Sequence, residues 1–264
     1  VKIAKLANDP IIDAAVLAKT VHVLQGATLT INATKSLTLD GSTSYQGSTQ
    51  AMQNNGTVNN NGVITIGATT SSGHSGISNI GPFALFNNNA GAEIVIDRAT
   101  SSGLFNQRTF NNSGKITIGA SNSTGFRGLE NQQNFNNNAG GEITIDNSTE
   151  FGLANFALTF NNSGKITIGA ASVSVGINGI RNTSFTNFNN NPGGEIKIDN
   201  STSAGIYNQG GTFTNAAKIT IGAVAGVGDY GLRNTSTFHN NAGGEIAIDR
   251  STTAGLWNGA GTCT

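Results

Sequence analysis

The sequence predicts an all-β chain: a single-stranded parallel β-helix, or β-solenoid, with three faces, about 25 residues per turn and an N-terminal cap. Three observations carry this. Gly-[Leu/Ile]-x-Asn begins at Gly76, Gly103, Gly128, Gly152, Gly179, Gly205, Gly231 and Gly255, with starts 24 to 27 residues apart, a spacing that suits one turn of a coil. An aromatic followed by asparagines recurs at Phe86, Phe110, Phe135, Phe160, Phe188, Phe213 and Phe238, with Val58 in the equivalent place of the first turn. Ile-x-Ile recurs at Ile64/Ile66, Ile94/Ile96, Ile116/Ile118, Ile143/Ile145, Ile166/Ile168, Ile196/Ile198, Ile219/Ile221 and Ile246/Ile248. Three short apolar segments per turn make three faces.

Residues 1–55 read as an N-terminal cap with entry turns, because an uncovered solenoid end would expose core and strand edges. Within them Val21-His22-Val23, Leu29-Thr30-Ile31 and Leu37-Thr38-Leu39 have the look of short strands, and Pro10 to Lys19 that of a brief helix. Residues 56–264 read as one continuous run of repeats. Alternate side chains of a strand point to opposite sides, so the isoleucine pairs go inward while Lys115, Thr117 and Gly119, or Glu142, Thr144 and Asp146, point out. Asn-Asn-Ser-Gly and Asn-Asn-Ala-Gly-Gly clusters before these strands supply residues that tolerate the left-handed conformations of a sharp corner. The chain halts at Gly259-Ala260-Gly261-Thr262, before the next Phe-Asn-Asn strand; the expectation is an array continuing in a longer parent, or an end that meets another molecule.

Two ladders follow from the stacking. Glu93, Lys115, Glu142, Lys165, Glu195, Lys218 and Glu245 place unlike charges at adjacent levels, which avoids like-charge stacking and opposes a one-rung slip. The two-rung unit spans 49 to 53 residues from one glutamate to the next. Asn79, Asn106, Asn131, Asn155, Asn182, Asn208, Asn234 and Asn258 form a file in which each amide donates and accepts along the axis. Asp97, Asp146, Asp199 and Asp249 recur on the glutamate rungs alone, about 9.6 Å apart, too far for two of them to share a calcium ion. A corner or surface role is expected of them. Arg98 and Arg250 follow two and Asn147 and Asn200 the others, so no uniform ion pair repeats.

Composition narrows the function. With 36 glycines and 11% charged residues, order comes from periodicity rather than from a conventional globular core. Fourteen basic and fourteen acidic residues give zero net charge, no footprint for nucleic acid or an anionic membrane, and no stretch has the length of an apolar membrane span. The opening Val1 to Ala7 lacks the apolar run of a secretory signal, which processing would have removed. Cys263 has no partner for an internal disulfide. Asn-x-Ser/Thr acceptors at Asn111, Asn122, Asn161, Asn182, Asn200 and Asn234 fall partly on positions expected to pack between rungs, where glycans would break the stack; a bacterial source is the expectation. His22, His74 and His239 are scattered without metal-ligand spacing. No catalytic residue, metal ligand or cofactor is assigned.

Gly26-Ala27-Thr28-Leu29-Thr30-Ile31-Asn32 followed by Lys35-Ser36-Leu37-Thr38-Leu39, together with the three columns, resembles the right-handed parallel β-helices of secreted bacterial surface proteins, an adhesin-like class. The resemblance implies handedness, a secreted or cell-surface location, and a non-enzymatic structural or adhesive role, with end-to-end or lateral self-association, a surface or a glycan as the partner. The varying residues of the Gly-[Leu/Ile]-x-Asn column, if they point out, put Phe105, Tyr207, Arg233 and Trp257 on a contact face. Two other readings stand beside this. Ice binding would use Thr65, Thr117, Thr144, Thr167 and Thr220, a file interrupted by Val95, Lys197 and Ala247 and flanked by charges. A polysaccharide-binding or polysaccharide-cleaving β-helix would need acids and a base gathered in one groove, and no turn carries such an excess.

Overall fold

A computed structural model describes residues 1–5, 9–45, 48–170 and 174–264. It is an all-β parallel solenoid of three sheets, holding 12, 11 and 10 strands among the described residues, and no helix occurs among them. Face I carries the Gly-[Leu/Ile]-x-Asn strands, face II the Phe-Asn-Asn strands and face III the Ile-x-Ile strands. Each strand pairs with its counterpart one turn away, so Leu104 lies beside Leu129, Phe110 beside Phe135 and Ile116 beside Ile143. The one antiparallel pairing among the described residues joins Thr43–Tyr45 to Ser48–Asn54.

The core follows from the columns. Every inward isoleucine from Ile64 to Ile221 is at most 1% exposed, and the seven phenylalanines are fully buried. Their rings stack face to face with centroids 4.6 to 5.2 Å apart, so one aromatic file runs through seven consecutive turns. Val58 sits beneath Phe86, and Leu29 beneath Val58, extending the file in aliphatic form.

The interior is narrowest where faces I and III meet. A Cβ on Gly128 would lie 2.2 Å from Ile145 Cγ2 and 2.7 Å from the Gly152 carbonyl oxygen. That approach requires glycine at the head of the face I motif. It also breaks strand parity: in Gly128-Leu129 both residues face the core, and Glu130 then turns outward.

The N-terminal segment departs from its reading in one respect. Pro10 to Lys19 is no helix. Ile11–Ile12 and Val16–Ala18 are strands paired with Thr28–Ile31 and Ser36–Leu39. The Asn32 N–H donates to Ile12 O and the Asp40 N–H to Ala18 O, so ladder pairing overrides the local helical preference. The strands of residues 1–55 continue the same three sheets, and Val21–Val23, Thr28–Ile31 and Ser36–Leu39 make a regular turn.

Candidate interaction faces

Three asparagine files run along the axis. The one read from the sequence lies at the end of face I, where Asn79, Asn106, Asn131, Asn155, Asn182, Asn208 and Asn234 are fully buried. Each donates its Nδ2 to the Oδ1 of the next, at 2.7 to 3.0 Å, ending at Asn258. Asn54 extends the file one turn earlier. Spare amide hydrogens reach the backbone of the coming strand, as in Asn131 to Thr159 O, so the file closes the corner between faces I and II.

The second buried file was not anticipated. Asn60, Asn88, Asn112, Asn137, Asn162, Asn190 and Asn215, at the end of face II, donate in the same sense at 2.7 to 2.8 Å. The third lies outside on face II and runs the opposite way: Asn87 donates to Asn59, and Asn111, Asn136, Asn161 and Asn189 each to the one before, all at 2.9 Å. The signal for both was the doubled asparagine after Phe86, Phe110, Phe135, Phe160 and Phe188. In a strand the two members of that pair must point to opposite sides, one inward and one outward.

On face III the charged residues are neighbours in register: Glu93 beside Lys115, Lys115 beside Glu142, Glu142 beside Lys165, Lys165 beside Glu195, Glu195 beside Lys218 and Lys218 beside Glu245. Among the described residues one of these pairs closes, Lys115 Nζ to Glu93 Oε1 at 3.0 Å, with both side chains well exposed. Glu195 instead takes Lys197 of its own strand, at 3.1 Å.

The aspartates after Ile-x-Ile are corner residues. Strand alternation alone puts Asp146 outward, but it is buried, as is Asp97. Asp97 Oδ1 accepts the N–H groups of Ser121 and Asn122 in the next turn's corner, and Asp199 Oδ1 those of Val224 and Ala225. Asp40 does the same for Thr69 and Thr70, and these bonds, the Thr69 hydroxyl's first, hold its carboxyl down to about 2. The residues after the aspartates also share a task that their unlike chemistry hides. Arg98, Asn147 and Asn200 sit at left-handed φ of 57°, 55° and 60°, and donate to the carbonyls of Gly67, Gly119 and Gly169 one turn back. Arg250 donates likewise to Gly222 O.

Of the expected contact residues, Tyr207, Arg233 and Trp257 stand on consecutive rungs of face I, pointing out. Arg233 carries its guanidinium 4.6 Å from the Tyr207 ring centroid, 5.2 Å from that of Trp257 and 5.7 Å from that of Tyr230. Phe105 is not with them: Glu130, Ala154 and Arg181 occupy the rungs between it and Tyr207. A second cluster joins Arg127 to Glu130 at 3.1 Å and stacks it on Phe156, while Arg181 covers Phe151.

The histidines are apart, His22 bonded to Asn55, His74 to Ser75 and His239 to Thr264. Among the described residues no three His, Cys, Asp or Glu side chains gather where a metal ion would need them. No protein-family model, no curated protein and no solved structure matches the chain, so its architecture rests on its own strand pairing.

Proposed function

We propose that this chain is a non-enzymatic, structural and adhesive β-solenoid segment of a secreted or cell-surface bacterial protein. The observation that carries the reading is the division between inside and outside. The interior repeats its files from rung to rung, whereas the outward column of face I varies and brings Tyr207, Arg233 and Trp257 onto consecutive rungs, with Tyr230 of the Arg233 strand beside them. Aromatic residues and arginine are the types enriched where proteins touch partners. Held by a rigid stack, they reach a surface, a glycan or another copy with little ordering left to do. Each glutamate of the face III column has similar surroundings, which suits a repeated structural part better than a single reactive carboxylate. Asn182 and Asn234 lie in glycan-acceptor sequences yet are fully buried in the amide file, which supports a source that leaves such sequences unmodified.

The test is adhesion of beads coated with the chain to bacterial cells and to glycan-coated surfaces, with Tyr207→Ala/Trp257→Ala beside it. Loss of adhesion in the variant is expected. Undiminished adhesion and assembly would remove face I as the contact surface. Self-association along the axis is a form of the same reading, read out by electron microscopy as rods longer than one chain.

A further inference from the structure

The outer side of face II differs from the other two and from every patch considered above. Two files of small neutral polar groups run side by side on it. One is the outer asparagine file. The other, two residues earlier on each strand, holds Thr57, Thr109, Asn134, Thr159, Asn187 and Thr212, with Leu85 interrupting it. From Thr57–Asn60 to Thr212–Asn215 no outward residue of these strands is charged or aromatic. Face III, by contrast, carries a charge beside its threonines on successive rungs, and face I carries arginines and rings.

This face is also flat and evenly spaced. The phenylalanines on the same strands report its geometry from inside. Successive rings from Phe86 to Phe213 are 4.6 to 4.9 Å apart and rotated by only 2° to 7°. Neighbouring strands of an ordinary sheet rotate by roughly 20–25°. Axial spacing is therefore that of the rungs, and lateral spacing between the two files is about 6.6 Å, two residues of strand. Over the seven rungs from Thr57 to Thr212 the lattice extends roughly 29 Å.

Its hydrogen-bonding capacity is fixed in place. Asn87, Asn111, Asn136 and Asn161 each spend one N–H and one lone pair on their neighbours in the file. One N–H and one lone pair per rung remain for the outside, already oriented. A ligand that offers only hydrogen bonds gains little over liquid water, since bonds to water are exchanged for bonds to it. It is favoured only by a surface whose groups are held in a matching lattice and lose no side-chain freedom on contact.

From this we infer that the outer side of face II binds ice, a refinement of the adhesive reading that names its surface. Ice is a flat, neutral, periodic lattice of donors and acceptors. A mineral surface calls for charged groups, and a crystalline glycan exposes C–H patches that aromatic rings cover; face II offers neither. A strongly hydrated ammonium in the lattice would disrupt the contact, and face II has none in these files.

The experiment uses the whole chain in three assays: ice partitioning of labelled protein, thermal hysteresis by nanolitre osmometry, and sedimentation. Wild-type protein should enter growing ice and shape the crystals. Asn134→Lys and Asn136→Lys should lose both effects with an unchanged circular dichroism spectrum, Asn136→Thr should keep them, and Thr144→Lys on face III should leave them unaltered. Exclusion of folded wild-type protein from ice would overturn the inference. So would ice entry that the face II lysines do not reduce, a lateral dimer that those lysines dissociate, or retention on crystalline chitin that depends on Asn134 and Asn136 while ice is ignored. If beads still adhere to cells or glycans while ice is ignored, the inference alone fails; if they adhere to nothing, the adhesive reading fails with it.

Discussion

Asn131→Ala should destabilise the solenoid far more than Asn136→Ala, although the two asparagines sit five residues apart on the same turn. Asn131 is fully buried. Its Nδ2 donates to Asn155 Oδ1 at 2.8 Å, Gln133 O at 2.7 Å and Thr159 O at 3.2 Å, and its Oδ1 accepts from Asn106 Nδ2 at 2.8 Å. Truncation leaves the Asn155 oxygen and an Asn106 hydrogen without their file partners in a dry corner. At about 1–3 kcal/mol for each buried polar group so orphaned, the loss is about 2–6 kcal/mol. Asn136 is half-exposed and gives up bonds at 2.9 Å to Asn111 and Asn161 that water replaces, a loss of about 0.5–1 kcal/mol. Asn131→Asp separates bonding from volume. It fills the same space but faces Gln133 O and Thr159 O with a carboxylate, so its loss should match or exceed that of the alanine. Urea unfolding followed by circular dichroism gives the three values. Hydrogen exchange of Leu104–Asn106, Leu129–Asn131 and Leu153–Asn155 locates the loss, since stacked repeats can open locally. Equal losses for Asn131→Ala and Asn136→Ala would refute the assignment of stability to the buried file.

Gly128→Ala is expected to cost at least about 1–3 kcal/mol from overpacking, because its Cβ would meet Ile145 Cγ2 at 2.2 Å. Gly140→Ala meets nothing within 4 Å and should lose only the left-handed penalty of its φ of 82°, roughly 1–2 kcal/mol; paired urea midpoints check the order. Lys115→Glu sets three carboxylates in succession beside one another on the exposed side of face III. It should shift stability by less than about 1 kcal/mol at low salt and by less still when salt screens the file. Burial, and then the charges of Lys2 and the N-terminus, push the His22 imidazole below 6.5. The folded state thus favours the neutral ring, its contribution is complete above pH 6.5, and stability declines as pH falls from there until the folded-state value is passed. Melting temperatures of wild type and His22→Gln, read from about pH 7.5 to 5, should diverge at the alkaline end and converge in acid.

The face assignment was legible because each face has its own residue signature at one period, and in-register stacking then fixes every partner. The aromatic file, the isoleucine pairs and the first asparagine file needed nothing more. Face I parity was not legible. Gly128 and Leu129 both turn inward, an irregularity set by how closely Ile145 approaches, and so the direction of Tyr207 and Arg233 stayed conditional until the chain was coiled. The strands at Ile11–Ile12 and Val16–Ala18 were hidden by an alanine-containing stretch whose conformation is decided by the turn stacked on it. Arg98 and Asn147 escaped as a set because their side chains share nothing but a donor group, and the shared acceptor lies a full turn back in the sequence.

What makes the repeat two rungs long is the corner between faces III and I more than the charge file. Aspartate and glycine alternate there without a break: Asp40, Gly67, Asp97, Gly119, Asp146, Gly169, Asp199, Gly222, Asp249. The charge alternation begins only at Glu93, with Ser36 and Val63 in the two earlier places. Two of the aspartate rungs are tied both ways. Asp97 accepts two N–H groups from the turn ahead while Arg98 donates to Gly67 of the turn behind, and Asp199 and Asn200 repeat this with Val224, Ala225 and Gly169. Bonds from backbone to a carboxylate are worth about 1.5–3 kcal/mol each, against about 0.2–1 kcal/mol for an exposed ion pair. A slip by one rung would set aspartate against aspartate and glycine against glycine at every corner, abolishing both sets of bonds, whereas the asparagine and phenylalanine files, alike on each rung, would hardly register it. Register against a single-rung slip is therefore held at the corners, and the Glu/Lys file, with one closed pair, follows the same two-rung beat as a lesser contribution.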